Sequence, residues 1–403
     1  MPLKKLALKA GVNRENTRYT NEGGWYECDK IRFRQGTPEK IGGWQRISDN
    51  TFLGVCRSIW NWVTLSSQNL VGLGTNLKFY IENGGGYYDI TPLRKAAATL
   101  GNNPFTTVSG SATVTVTDAT GGYIVGDFVT FSNASAVGGL TIDGEFQVVD
   151  LSSATSYTIT ASSNATSSAT GGGTVTAEYQ INVGPAFAIP LVGWGASSWG
   201  SGTWGVGAES VEEVRQWSQA NFGEDLIFGP RGGTLFYWDA SATNSLSVRG
   251  VALSSLSDAS NVPTIQNLTL VSDISRFVFC FGCNELGSST LNTMLIRWSD
   301  QEDATNWTPS ATNQSGDLIL SNGTNIITAK QSRQEVLVWT DSALYALQYV
   351  GAPAVWTAQL VGENTSVASQ NAVAYANGIA YWMGRDKFYM YDGRVKPLRC
   401  DLR

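Results

Sequence analysis

The residues with the clearest potential for binding are three tryptophans in Gly193–Gly205, GWGASSWGSGTWG. Trp194, Trp199 and Trp204 lie five residues apart, a spacing that fits neither a helix nor a strand. Each indole combines a large apolar surface with one N–H donor, so the three could stack on a sugar or a base, or pack against protein. The small, uncharged residues between them are poorly suited to orienting a hydroxyl-rich ligand. We therefore predict that the tryptophans pack against protein, either the chain's own sheets or a neighbouring subunit.

The sequence contains no histidine, which limits the catalytic chemistry open to it. Ser–His–Asp and Cys–His catalysis, histidine-ligated metals and most general-base chemistry near neutral pH are excluded. An enzyme would have to rely on carboxylates, Tyr, Lys or Arg alone. We identify no catalytic residues among these and predict that the protein is not an enzyme.

Cysteine and acidic residues offer no clear metal or cofactor site. Of five cysteines, only Cys280 and Cys283 lie close together, in CFGC, and a redox or zinc site would need a βαβ context or a second pair. We interpret them as ordinary strand cysteines. The acids Glu209, Glu212 and Glu213 lack the alternating ligand spacing of a calcium loop, and no glycine-rich segment carries the lysine of a phosphate loop. No cofactor and no metal are predicted.

Charge is unevenly distributed along the chain, whose net charge is −6. No Lys or Arg occurs from Ala96 to Val214, so a basic nucleic-acid footprint is missing there. The first fifty residues carry ten Lys and Arg against six acids. Because the planar guanidinium suits interfaces, we predict that arginines of this segment dock on an acidic neighbour or an adjacent protomer; a solvated basic surface is the alternative. These residues are Arg14, Arg18, Arg32 and Arg34.

A unit made of an apolar strand, a turn and an aromatic-rich strand recurs five times along the chain. Repeats of about 40–50 residues with paired strands are typical of β-propeller blades. Extra strand-forming residues precede the pairs, so we predict an all-β propeller of about 5–6 four-stranded blades; a generic β-sandwich is the alternative. The copies begin at Leu70, Leu226, Arg276, Val336 and Ile379.

The composition changes within residues 102–184, which are nearly uncharged and rich in Thr, Ser, Val and Gly. Alternating segments such as TVTVT and SYTIT predict short half-buried strands and a small inserted β-barrel or sandwich. The predicted domains are 1–101 (N-terminal segment and first blade), 102–184 (insert) and 185–403 (remaining blades). Only Ser210–Ala220 approaches an amphipathic helix.

Four segments resemble the tail nozzle (tail tubular, or tail hub) proteins of short-tailed bacteriophages. The resemblance is dispersed over the whole chain except the insert, and its most specific parts are the N-terminal segment and the tryptophan loop. The segments are Gly11–Trp44, Gly193–Gly205, Arg297–Asn313 and Tyr389–Leu398.

This resemblance implies a structural virion protein, assembled in the host cytoplasm into a hexameric ring below the portal and adaptor rings. The ring would extend the channel for DNA ejection, so the implied partners are other copies of the chain, the portal or adaptor, tail fibres or needle, and DNA in transit. No apolar run long enough to serve as a membrane anchor is found. In the resembling proteins more strands follow the point where LRCDLR ends this sequence. We therefore expect a missing closing blade, or closure by the N-terminal segment; an open propeller would leave a sheet edge for another chain.

The competing interpretation is a carbohydrate-binding propeller or a sialidase-like glycosidase on the tail. Ser299–Trp307, SDQEDATNW, resembles the Asp box of sialidase propellers, although its Gly is missing. That box is a structural turn, and such an enzyme also needs three clustered arginines and a Tyr–Glu pair. The sequence alone does not bring such residues together.

Overall fold

The computed structural model describes residues 9–14, 17–43, 45–46, 48–184 and 214–398. The predicted contacts of Trp194, Trp199 and Trp204 lie outside these ranges. Within them the chain is all-β, and its helical residues are confined to two short 3-10 turns, Ser245–Ser247 and Leu253–Ser255. None of the described segments forms a helix with the length and apolarity needed to cross a bilayer.

The N-terminal region forms a separate hairpin of β1 (Ile31–Arg34) and β2 (Thr37–Lys40). Its two-residue turn uses positive φ angles at Gln35 and Gly36, the geometry that matches the twist of paired strands. We call residues 9–43, as far as they are described, the N-terminal unit.

Five antiparallel sheets of four strands form the body of the described chain, each made of strands in sequence order. We number them sheets I–V. Sheet I contains β3 (Cys56–Val63), β4 (Asn69–Thr75), β5 (Phe79–Asn83) and β6 (Gly86–Asp89).

Two further sheets, which together form the insert, follow sheet I and share one buried core. The strands in chain order are β7 (Ala98–Thr99), β8 (Phe105–Thr107), β9 (Thr113–Thr117), β10 (Phe128–Ser132), β11 (Gly144–Gln147), β12 (Asp150–Ser153), β13 (Ser156–Thr160), β14 (Ala169–Gly171) and β15 (Thr176–Gln180). One sheet has the order β11-β10-β15-β7 and the other β12-β13-β9-β8-β14. The insert therefore starts earlier than residue 102.

The remaining strands complete the body. Sheet II contains β16 (Trp217–Phe222), β17 (Asp225–Pro230), β18 (Phe236–Trp238) and β19 (Val251–Ala252), and sheet III contains β20 (Gln266–Val271), β21 (Val278–Asn284), β22 (Leu291–Trp298) and β23 (Gly316–Ile319). Sheet IV contains β24 (Ile326–Gln331), β25 (Glu335–Thr340), β26 (Ala343–Gly351) and β27 (Val355–Glu363), and sheet V contains β28 (Val373–Ala376), β29 (Ile379–Met383), β30 (Phe388–Tyr391) and β31 (Val395–Pro397).

The five repeated strand pairs of the sequence are the second and third strands of sheets I–V. In sheets II–IV these strands read as continuous apolar runs because neighbouring sheets cover both of their faces. In sheet III all seven residues of β21 are buried, and in sheet IV Val336–Thr340 are buried. Separate apolar clusters join sheets I and II, II and III, III and IV, and IV and V.

The interface of sheets I and II shows how closely the sheets pack. Trp217 of sheet II donates its indole N–H to the Thr75 carbonyl at 2.6 Å. A Cβ atom at Gly74 would lie 2.6 Å from the Trp217 ring, so only glycine permits this approach.

Ser210–Ala220, the segment that came nearest to an amphipathic helical pattern, is extended at its described end. Trp217–Phe222 forms β16, the first strand of sheet II. Trp217 and Ala220 are buried in contact with different neighbouring sheets, so packing on both faces outweighs a weak helical period.

Candidate functional site: the central cavity and the terminal faces

A cavity of about 880 Å³ lies where the first strands of all five sheets converge. Strands β3, β16, β20, β24 and β28 all contribute to its wall. At one end, Asn371 before β28 donates a side-chain hydrogen bond to Gln216 before β16, at 3.4 Å. The cavity is therefore built jointly by the whole body of the protein.

The charged residues lining this cavity are mostly basic. Arg57, Lys330 and Arg333 line it together with a single acid, Asp273. The Arg57 guanidinium donates to the Arg215 carbonyl at 2.8 Å, so it is tied to the backbone. The local excess of positive charge contrasts with the net charge of −6 of the chain.

Two of the cavity cations, Lys330 and Arg333, have side chains without a partner in the described chain. Lys330 is the more buried of the two. It lies on β24 in a half-buried position, and burial lowers the pKa of its ammonium. The carboxylates of the described residues form no salt bridge with its Nζ. This differs from Lys78, which is more deeply buried and contacts Asp89 at 2.9 Å and Glu145 at 2.6 Å.

The outward faces of sheets I and V are the second notable feature, and we call them the two terminal faces. On β3, Trp62 packs toward sheet II, while Ile59 and Val63 point to the opposite side and are 68% and 58% exposed. On sheet V, Met383 pairs with Phe388 on the side away from sheet IV, and both are about 45% exposed. Within the described ranges, no buried apolar cluster joins these two sheets.

Part of the terminal face of sheet I is covered by the chain that precedes β3. The Phe52 ring lies 6.2 Å from Tyr80 and 5.2 Å from Tyr87. The Tyr80 hydroxyl accepts the backbone N–H of Leu53 at 3.2 Å. This contact covers the outer strands and leaves Ile59 and Val63 of β3 exposed.

The four arginines predicted to dock on a partner all lie in the N-terminal unit. Arg14 and Arg18 approach the same carboxylate, Glu27, at 3.6 and 3.2 Å. Both guanidinium groups also lie within 6 Å of the Tyr26 ring, at 5.8 and 5.2 Å from its centroid. These two charges are therefore partly neutralised within the unit.

Arg32 and Arg34 project from the same exposed side of β1. Arg32 forms an ion pair with Glu39 on the paired strand. Arg34 is exposed, and in the described part of the chain its guanidinium has no ion pair or hydrogen bond. Arg34 is thus the arginine of this set most available to a partner.

The junction between insert and body is held by ion pairs that sequence reasoning missed. Asp127 of the insert is fully buried and accepts two hydrogen bonds from Arg94 and one from Asn182. Lys78 of sheet I reaches Glu145 on β11. The sequence did contain a signal for these ion pairs. Arg94 and Lys95 directly precede a long segment, Ala96–Val214, whose only charged residues are acidic.

The Asp-box-like segment forms a structural turn. Asp303 accepts the backbone N–H of Thr305 at 2.8 Å, Glu302 takes a positive φ of 60°, and Trp307 is buried beneath the turn. The indole of Trp307 donates to the Ala304 carbonyl. The side chains of this turn serve packing, and none of them reaches the cavity.

Cys280 and Cys283 lie on β21 and are fully buried as free thiols. Burial raises the pKa of both, to about 12 for Cys283. Within the described residues, no group of three or more Cys, Asp or Glu side chains is placed to hold a metal ion. These thiols are core side chains.

Comparisons with known proteins were made for sequence and structure. No protein-family profile and no curated protein matches the chain. Phage phi92 endosialidase aligns at 15% identity and a TM-score of 0.24, over 78% of this chain and 50% of its own. PorZ, a surface component of the type-IX secretion system of Porphyromonas gingivalis, aligns at 10% identity and a TM-score of 0.29, over 83% and 52%. The chain spans about half the length of either protein, and these similarities assign it to no family.

Proposed function

We propose that this protein is a non-enzymatic structural subunit of a phage virion, part of the nozzle ring of a short tail. In this proposal sheets I–V are five blades of a β-propeller that is open between sheets V and I in the described chain, and the insert is an additional β-sandwich. Copies of the chain form a ring, hexameric as in the proteins its sequence resembles, which attaches to the portal or adaptor and conducts DNA. The ring would assemble in the host cytoplasm.

The observation that carries this proposal is the exposure of the two terminal faces. Burying a Val, Ile, Met or Phe side chain stabilises an association by about 1.5–3 kcal/mol. Association costs several kcal/mol or more in entropy. Burial of the four exposed side chains would offset a substantial part of this cost; they are Ile59, Val63, Met383 and Phe388. A neighbouring copy of the chain that covers these faces would complete the body.

The N-terminal unit supports the same assignment. Among the described residues, the five buried apolar clusters contain nothing that precedes Trp62, so this unit lies outside the body's core. It has its own internal contacts, including Trp25 packed edge-on against Phe33 at 6.0 Å. A preformed unit with an unpaired Arg34 is suited to contact an acidic surface of an adjacent subunit.

The experiment is native mass spectrometry of the purified full chain, with negative-stain images of the same sample. We expect a closed ring for the parent and a monomer or open fragments for the double variant Met383→Asp, Phe388→Asp. The control is Val108→Asp, which changes a more exposed apolar residue on the insert and should leave the ring intact. The proposal is contradicted if the parent remains monomeric at a protein concentration about 100 times a micromolar dissociation constant. It is also contradicted if the double variant still forms the ring.

The competing function, receptor recognition through carbohydrate, predicts a different result for the same samples. Carbohydrate binding is favoured if the parent is monomeric and is retained on host polysaccharide, and if blocking the cavity abolishes this retention. Loss of the ring in the double variant without any polysaccharide retention in the parent favours the structural role.

A further inference from the structure

The central cavity has a chemical character that ring assembly does not require. Its volume, about 880 Å³, falls within the range of small-molecule sites, about 300–1,000 Å³. Three of its four charged lining residues are cations. The remaining one, Asp273, is exposed, as is Arg333, and it forms no salt bridge with any described residue.

Lys330 is the residue that most needs a partner. Withdrawing an ammonium from water is unfavourable unless an opposite charge or hydrogen-bond acceptors compensate. The fold supplies that compensation to its other withdrawn lysines, since Lys78 contacts two carboxylates and Lys95 contacts Asp118 at 3.2 Å. Lys330 has no such counter-ion in the described chain, although it is more than half withdrawn from solvent.

Two other residues that line the same cavity, Arg333 and Tyr375, have hydrogen-bond donors with free capacity. The Arg333 guanidinium lines the same cavity without a salt bridge to a described residue. The Tyr375 hydroxyl accepts the backbone N–H of Arg333 at 3.2 Å, so its own proton remains available for donation. Ammonium, guanidinium and phenol donors together favour an acceptor that carries negative charge.

We propose that the central cavity binds a small ligand through an oxyanion, a carboxylate or a phosphate, with Lys330 as its counter-ion and Arg333 and Tyr375 as further donors. Both kinds of oxyanion present charged acceptor oxygens to these groups, and the polar Thr, Ser and Asn side chains of the inner strands suit the neutral part of a hydrophilic ligand. The site lies in the body of one subunit and does not depend on ring formation.

The test is isothermal titration calorimetry on the full chain with D-glucuronate, inorganic phosphate and, as the neutral control, D-glucose. We expect saturable binding of at least one anion and none of glucose. In Lys330→Met the affinity should fall about tenfold or more, the loss of roughly one charge-assisted contact. Lys387→Met, which changes an exposed lysine on sheet V's loop, should bind like the parent. Glucuronate binding alone identifies a carboxylate site, and phosphate binding alone identifies a phosphate site.

A thermal melt without ligand gives a second, independent reading. Because Lys330 lacks a counter-ion, Lys330→Met should melt at the same temperature as the parent or higher. A clear fall in melting temperature would mean that the fold itself compensates the ammonium, and it would overturn the proposal. The absence of saturable binding for both anions, or equal binding by Lys330→Met and the parent, would overturn it as well.

Discussion

Arg94 and Asp127 form a two-point ion pair, with Nε 2.6 Å from Oδ2 and Nη2 2.7 Å from Oδ1. The carboxylate is fully buried and also accepts the side-chain amide of Asn182 at 2.7 Å. Arg94 precedes the insert and Asn182 follows it, so one carboxylate of the insert binds both connecting segments. This arrangement fixes the insert at its point of attachment.

Replacing Arg94 with Met should destabilise the protein by about 3 kcal/mol, because Asp127 then remains buried without its counter-ion. The measurement is the free energy of unfolding in urea, followed by tryptophan fluorescence and circular dichroism. Arg276→Met is the matched control, since Arg276 forms an exposed pair with Glu302 at 4.0 Å and its loss should cost under about 0.5 kcal/mol. Equal costs for the two variants would show that the buried pair does not hold the insert.

The core of the insert should show a specific sensitivity to acid through Asp118. Burial raises the pKa of this carboxyl, but hydrogen bonds from Thr120 and Tyr179 and the charge of Lys95 outweigh burial, and its pKa lies below the ordinary value. A carboxyl with a lowered pKa stabilises the fold above its unfolded pKa, near 4, and this contribution is lost as the pH falls through the folded pKa.

Tyr179→Phe removes the 2.7 Å hydrogen bond to Asp118. We expect the variant to be less stable than the parent at pH 7, and the difference in unfolding free energy to shrink below about pH 4. Tyr157→Phe is the control, because its hydroxyl contacts Tyr179 rather than the carboxylate. A pH-independent difference for Tyr179→Phe would contradict the assignment.

The insert should be removable only at the correct boundary. Leu93 and Gln180 form an antiparallel bridge, so a short Gly-Asn-Gly linker can join them without moving sheet I. We expect this deletion to give a soluble β protein with a cooperative melt. The boundary 102–184 removes Ile181 and Val183, which are buried in the cluster between sheets I and II. That second deletion should lower the melting temperature or produce aggregate, and thermal denaturation by circular dichroism distinguishes the two.

Much of the strand arrangement could be predicted from the sequence because its strongest signals are local. The middle strands of the sheets contain apolar runs, such as residues 336–339 of β25, and end at turn residues, so the repeat is visible without a structure. The short outer strands carry weaker patterns; Val251–Ala252 of sheet II contains only two residues. Ile181 and Val183 look like part of the Thr- and Val-rich insert, and only their burial in the cluster between sheets I and II assigns them to the body.

The candidate sites were harder to predict because they depend on which surfaces meet. Ile59 and Val63 alternate with buried tryptophan as in any half-buried strand, and only the three-dimensional arrangement shows that no described sheet covers them. Lys330, inside the apolar-rich strand IITAKQ, was the one visible anomaly of the cavity. A charged residue in an otherwise inward-facing strand indicates a candidate site, although the cavity around it is completed by residues of four other sheets.

The buried thiols should be unreactive in the native protein. Burial raises the pKa of Cys280 and Cys283 and excludes reagent from both. We expect a maleimide at pH 7.5 to label exposed Cys56 within minutes and the two buried cysteines only after unfolding, as read by peptide mass spectrometry. Native labelling of Cys283 at the rate of Cys56 would mean that β21 opens readily.

The tryptophan loop, Gly193–Gly205, lies outside the described ranges, and the residues on either side of its segment are described. The described ends of this loop lie close together, since the Arg57 guanidinium donates to the carbonyls of Val183 and Arg215 at 3.5 and 2.8 Å. The loop thus leaves and rejoins the body beside β3, whose apolar side chains form one terminal face. Packing of Trp199 against protein there would contribute about 2–3 kcal/mol. Trp199→Ala should therefore lower the melting temperature or ring formation and leave glycan binding unchanged. If the variant melts and assembles like the parent but loses retention on host polysaccharide, the indole contacts sugar and the packing prediction is wrong.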